Sequence, residues 1–350
     1  MKTLTNILFL LVALTACTPA PRSEGLAYAD FPQTIELKGK VIPLDTALFR
    51  YPFRIRVQGD KAVVMDLHGQ DYYFHLFHYP NFSYQTSFGR QGDSPEEMLS
   101  AENIRWNGEH LWTLDANKSE LMRLGFDLSG DSLLPQEAVS LDKDILRTLD
   151  FVMFDDFTFI IPDYSGDNRF CWVNRQGKLL RKTGTIPTAN EEALKNSRPA
   201  LAQAWRSFID YNPHNRVLAA VTQLGEVLEV YNLQDSTHVV RIGPYGEPEF
   251  QVSQGYGIPT GIMGFSDVQV TDSAIYAVFH GRSFKEIGRN AQKGILTDGG
   301  QYIYVFNLKG EPLRKYVLDH YIYGISVNEE KGIILATDVN KDEPIIKYYM

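Results

Sequence analysis

The sequence predicts an all-β protein, a six-bladed β-propeller, and three observations carry that prediction. First, one phrase returns six times: an apolar strand, a tight polar turn, then a second apolar strand that usually closes on Asp. The copies are FRIRVQGDKAVVMD ending at Asp66, NIRWNGEHLWTLD at Asp115, DFVMFDDFTFIIPD at Asp163, SFIDYNPHNRVLAAVT at Thr222, DVQVTDSAIYAVFH at His280 and GISVNEEKGIILATD at Asp338. Second, the steps between these ends are 49, 48, 59, 58 and 58 residues, and a period near fifty with β-type alternation marks a radial repeat. Third, each repeat has room for four strands. In the second, NIRW, EHLWTLD, LMRLGFD and the segment near 135–141 alternate apolar and polar residues, with Gly, Asn and Asp supplying the turns.

The elements follow in chain order. Lys2 and the short apolar run 7–14 lead into Leu14-Thr15-Ala16-Cys17. The run is too short to span a bilayer, and this pattern resembles the lipobox of bacterial lipoproteins. The resemblance implies a signal peptide over 1–16 and a lipidated Cys17, each buried acyl CH₂ adding about 0.8 kcal/mol to membrane binding. The Pro-rich polar stretch after it reads as a flexible tether over 17–32. The propeller is then expected over 33–350. The last repeat runs out after three strands, so the segment TIELKGKVIPLD near the N-terminus is expected to supply the missing outer strand of the sixth blade and close the ring. YYFHLFHYP, RFCWVNRQG, VLEVYNLQD and YIYVFNLKG read as third strands. The segment 188–206, with Ala193, Leu194, Leu201, Ala202 and Trp205 at helical spacing, predicts two short helical turns separated near Pro199.

The lipobox, the six repeats and the phrases FGRQGDSPEEM and IGPYGEPEF together resemble the TolB-like six-bladed propeller lipoproteins of Bacteroides-type bacteria. The Gly-x-x-Gly-x-Pro-Glu-like phrase is the most specific part, although Ser94 alters its spacing in the first copy. The resemblance implies a fold and a cell-envelope address more than an activity.

Charge and motifs narrow the function. The formal net charge of −9 argues against nucleic acid, which needs a concentrated basic face. With Cys17 carrying lipid, Cys171 is the one remaining cysteine, so no intramolecular disulfide and no cysteine metal site can form. Cys171, among apolar neighbours, reads as a small core residue. His75 and His78 are three apart on a strand and point to opposite faces. Neither an HExxH helix, nor a GxSxG elbow, nor a Walker loop is present, and Pro259 argues against phosphate cradling at Gly255–Gly257. Catalytic residues are therefore not assigned and no cofactor is expected.

Two constellations could carry a binding function. Asp66, Asp115, Asp163 and Asp338 are expected to ring one mouth of the channel, with Thr222 and His280 in the other two places. Asp115, Asp163 and Asp338 open loops of the Asp-x-Asn/Ser-x-Ser/Asp kind, the start of a calcium loop. The sixth and twelfth positions do not follow it, so Asx turns are the preferred reading. A divalent cation such as calcium shared by Asp115, Asp163 and Asp338 stays open as an alternative. The second constellation is the long connection 281–300, which carries Arg282, Lys285, Arg289 and Lys293, beside another long connection carrying Tyr245 and Tyr256. Basic and aromatic residues on long loops make contact surfaces. The expected function is a lipid-anchored, non-catalytic binding or scaffolding module for an envelope protein, peptide or glycan. The alternative is a channel-metal hydrolase or lactonase on the same fold. The expected address is the outer membrane, with the periplasmic side favoured because no acidic cluster follows Cys17.

Overall fold

The computed structural model describes residues 26–44, 49–127, 129–130, 132–295 and 297–350. Cys17 and the expected signal peptide lie outside them. Six sheets form the propeller, each with an antiparallel core whose strands run in sequence order from channel to rim, apart from the edge strands that the N-terminal segment adds to the last three. The inner strands are Pro52–Gln58, Ala101–Asn107, Val152–Asp155, Ser207–Asn212, Phe265–Val270 and Ile325–Asn328. The second strands are almost wholly buried, and in the fourth and fifth blades Val217–Thr222 and Ala274–Phe279 are buried at every position. A strand buried on both faces has to be apolar throughout, which is why these runs stand out in the sequence.

The ring is closed by the N-terminal segment, with more contacts than expected. Lys40–Val41 supplies the outer strand of the sixth blade, antiparallel to Ile345–Tyr349. Before it, Thr34–Leu37 runs parallel to the outer strand of the fifth blade, pairing Leu37 with Leu318. Earlier still, Leu26–Ala27 runs parallel to the outer strand of the fourth blade. The chain therefore straps three consecutive blades, and the expected tether over 17–32 gives way to paired backbone at Leu26. Tyr28 N–H donates to the Ile242 carbonyl at 3.1 Å and Lys315 N–H to that of Gln33 at 2.8 Å, while Phe31 and Leu37 are buried.

Two short helices interrupt the β pattern where the sequence places them. Helix α1 is Glu191–Asn196, capped by the Asn190 side chain accepting from Ala193 N–H, and α2 is Arg198–Ala204, with Pro199 in its first turn. Trp205, fully buried, fixes this insertion to the fourth blade beside Val227 and Val240. The connection 281–300 is not an irregular loop. Ser283 caps a third helix, α3, Phe284–Gln292, by accepting from Glu286 N–H. The connection into the fifth blade forms a hairpin, Phe250–Ser253 with Tyr256–Pro259, which lies against α2.

Charged side chains stitch the channel wall. Asp150 accepts from Ile209 N–H at 2.8 Å, Asp210 from Val270 N–H at 2.7 Å and Asp267 from Ile325 N–H at 2.9 Å, each reaching the next blade's inner strand. Arg105 pairs with Asp150 and Asp210, and Arg56 with Asp267. Arg54, fully buried, stacks on Phe53 and Phe208 at 3.9 and 4.6 Å, and burial lowers its pKa to about 10. A buried charge is tolerated only when paired or hydrogen-bonded, so these residues hold neighbouring blades in register.

Candidate functional site

The side chains of the repeated aspartates are buried, not presented on an open surface. None of the four is more than 2% exposed. Asp66 accepts from the N–H groups of Arg50, Tyr51 and His68 at 2.7, 2.6 and 3.3 Å. Asp115 accepts from Leu99, Asn117 and Lys118 N–H at 2.7 to 3.1 Å. Asp163 takes Ser165 N–H, the Ser165 hydroxyl and Lys182 Nζ, and Asp338 takes Asn340 and lies 3.2 Å from His320 Nδ1. The carboxylates serve the turn backbone, as Asx turns do. Among the described residues no three His, Cys, Asp or Glu side chains converge as metal ligands would.

The two blades that lack the Asp behave differently. Thr222 and His280 are buried, and neither the Thr222 hydroxyl nor either ring nitrogen of His280 has a hydrogen-bond partner. Burial holds the His280 pKa down to about 4, so the ring is neutral at physiological pH. Between these two blades opens a cleft of about 510 Å³. The strap contributes Tyr28, Asp30 and Phe31 to it, the fourth blade contributes Glu226, and the connection between the blades contributes Tyr245. The fifth blade adds His280, Arg282, Tyr302, Tyr304 and Lys315.

Glu226 forms the acidic wall. Its carboxylate accepts from the Tyr28 hydroxyl at 2.8 Å and from Tyr245 N–H at 3.1 Å. The phrase IGPYGEPEF builds this cradle. A Cβ on Gly243 would lie 2.1 Å from the Glu226 carboxyl carbon, so only glycine lets the carboxylate lie flat there. Gly246, at φ +72°, carries the turn and accepts the Glu226 N–H on its carbonyl at 2.8 Å. Burial raises the Glu226 pKa. Lys315, the wall cation whose charge opposes that rise, is itself paired with Asp30 at 2.9 Å.

The residues on 281–300 divide. Arg282 reaches the cleft and clamps the base of its own connection, donating to the Thr297 and Gly299 carbonyls at 2.8 Å each. Lys285 and Arg289 on α3 and Lys293 at its C-cap, four apart, form one exposed stripe. Asp298 ties the end of the segment to the first and sixth blades, accepting from the Tyr51 hydroxyl and exchanging backbone hydrogen bonds of 2.8 and 2.7 Å with the Asn340 side chain. Tyr256 is not brought to this place. It stands on the hairpin over a second cleft, with Arg147 above its ring at 6.0 Å.

Of the sequence candidates, then, the structure brings together Tyr245, His280 and Arg282. Sequence reasoning missed Tyr28, Glu226, Tyr302, Tyr304 and Lys315. One signal was present: His280, one of the two breaks in the Asp pattern, lines the cleft.

The model of the TolB-like six-blade propeller family matches residues 30–330. Among solved structures, a putative exported protein from Bacteroides fragilis superposes with a TM-score of 0.55 at 10% identity, covering 93% of this chain and 99% of that one. A member of the DUF4221 family from Bacteroides vulgatus gives a TM-score of 0.59 at 11% identity, covering 90% and 98%. Identities this low carry the fold alone. Among curated proteins none matches this chain.

Proposed function

The chain belongs to the TolB-like six-bladed propeller family, and from that premise we propose that it is a non-catalytic binding module of the cell envelope. Cys17 anchors it by lipid to the outer membrane, with the propeller on the periplasmic side. The observation that carries the binding reading is the cleft between the fourth and fifth blades. It is concave and walled by aromatic rings together with charged and polar side chains, Asp30, Glu226, Arg282, Glu286 and Lys315 among them, and a cleft with convergent polar groups is where a ligand site is expected. The exposed stripe Lys285, Arg289 and Lys293 on α3 adds a charged rim to the same side of the fifth blade. The ligand is a segment of an envelope protein or peptide, or a glycan. The envelope address is supported by the lipobox resemblance and by a fold shared with an exported protein.

Cross-linking in the producing cell, followed by capture of the lipidated protein, tests this reading. The wild type is compared with Tyr245→Ala/Tyr302→Ala and with a chain shortened within α3. A partner captured by the wild type and lost from the cleft variant supports the reading. A partner retained by both variants places the site elsewhere, and a wild type that captures nothing removes the case for a macromolecular ligand.

A further inference from the structure

We infer that the cleft between the fourth and fifth blades takes an organic cation, an ammonium or guanidinium group of the lysine or arginine kind, seated on Glu226 between Tyr28 and Tyr245. The inference deepens the binding reading above and rests on it. Its first ground is the state of Glu226. The residue is 1% exposed and keeps two neutral donors. No Lys, Arg or His lies within ion-pair distance of it among the described residues. Burying a carboxylate without an ion-pair partner works against the fold, and carboxyls perturbed by burial in a cleft cluster at functional sites. Each carboxylate oxygen accepts one hydrogen bond here and has capacity for another.

The second ground is the wall. The Tyr28 hydroxyl and the Tyr245 backbone N–H hold the carboxylate, the Tyr245 ring lines the same cleft, and Phe31 and Tyr304 continue the aromatic surface, their ring centroids 4.5 Å apart. Ring faces attract cations, and a carboxylate within an aromatic enclosure is the arrangement that recognises an alkylammonium. The third ground is His280, which is 4% exposed and lines the same cleft with both nitrogens free of partners. A neutral imidazole offers one acceptor and one donor, which suits the N–H of a cation and an amide carbonyl beside it. The opposing cations are already engaged: Lys315 by Asp30, and the Nη atoms of Arg282 by carbonyls.

The test is calorimetry on the purified protein with acetyl-Gly-Lys-Gly-amide and acetyl-Gly-Arg-Gly-amide, against the neutral acetyl-Gly-Gln-Gly-amide. At least one cationic peptide is expected to bind tenfold or more tightly than the neutral one. Glu226→Gln, which keeps an acceptor for Tyr245 N–H, should abolish that difference while unfolding at the same temperature or higher. Should that variant not fold, Tyr245→Ala takes its place, since the side chain is half exposed, and should weaken the cationic peptide several-fold. Equal binding of cationic and neutral peptides, no binding of either, or full cationic binding to Glu226→Gln would each overturn the inference. A partner that still depends on the cleft in cross-linking would then leave the binding reading standing with a different ligand chemistry.

Discussion

Glu226 and Glu229 stand three residues apart on the fourth blade, both buried, and they face opposite neighbours. Glu229 turns to the third blade, where Arg169 meets it at 2.7 Å, with His238 of its own blade 3.5 Å away. Burial alone would raise its pKa, but Arg169 and His238 outweigh that and hold it at about 2. Glu226 turns to the fifth blade and meets two neutral donors and a cleft. One junction is a closed ionic lock and the other is an opening with an unspent charge. Burial therefore does not distinguish a structural carboxylate from a binding one; the counter-charge does.

The largest effect should come from breaking the lock. Arg169→Met leaves Glu229 buried with only His238 and the Tyr231 hydroxyl beside it, and loss of about 3–5 kcal/mol is expected by urea unfolding. The pH dependence has a definite sign. A carboxyl held below its ordinary value stabilises the fold fully above pH 4.5, and the stabilisation is lost as pH falls toward about 2. Arg169→Met should flatten that acid limb. A variant with an unchanged limb would show that the pair is not what closes the third junction.

Next is the strap, which joins the cleft to the ring closure. Leu37 is 7% exposed and packs in the core shared by the fifth and sixth blades. Leu37→Ala should cost about 2–3 kcal/mol, read as a lower midpoint in the same unfolding experiment. Deleting 26–44 should remove cooperative unfolding altogether, because three blades lose an edge pairing at once.

Glu226→Gln reverses the direction. The raised pKa means that ionisation of Glu226 works against the fold as pH climbs from its ordinary 4.5 through the raised value. The variant should be as stable as the wild type at pH 5 and more stable at pH 8, by up to about 1 kcal/mol. A clear loss at pH 8 would make Glu226 a structural anchor for Tyr28 and erase the contrast with Glu229.

The fold was open to sequence reading because its rule is local. A second strand buried on both faces must be apolar, and it repeats once per blade, so period and alternation appear without any long-range knowledge. The closing strand could be inferred from a count: three strands in the last repeat leave one missing. What could not be read is where the strap runs before it closes. Leu26–Ala27 and Thr34–Leu37 pair with strands some two hundred or more residues away, and nothing in their own composition names that partner. The same distance hid the cleft. Tyr28, Glu226 and Tyr304 come from three separate stretches. The aspartates were conspicuous in the sequence for the opposite reason: they make local turns, which leave a local pattern. The channel charges Arg54, Arg105 and Asp210 did carry a signal, as charged residues inside strands that should face a core.

The smallest effect concerns the stripe on α3. Lys285, Arg289 and Lys293 are exposed, and none of their side chains has an ion-pair or hydrogen-bond partner among the described residues. Surface charges of this kind contribute within about 0.5 kcal/mol, so Lys285→Ala/Arg289→Ala/Lys293→Ala should leave the unfolding midpoint where it is. Their expected role is in encounter. A charged rim speeds association and makes it salt-dependent more than it deepens affinity. The triple variant should therefore slow capture of a partner a few-fold at low salt and match the wild type at high salt, where the Debye length falls to about 3 Å. The cleft variant should fail at both. If the triple variant lost the partner at high salt as well, the stripe would be part of the bound interface, and the division between a charged rim and a cation-holding cleft would have to be redrawn around α3.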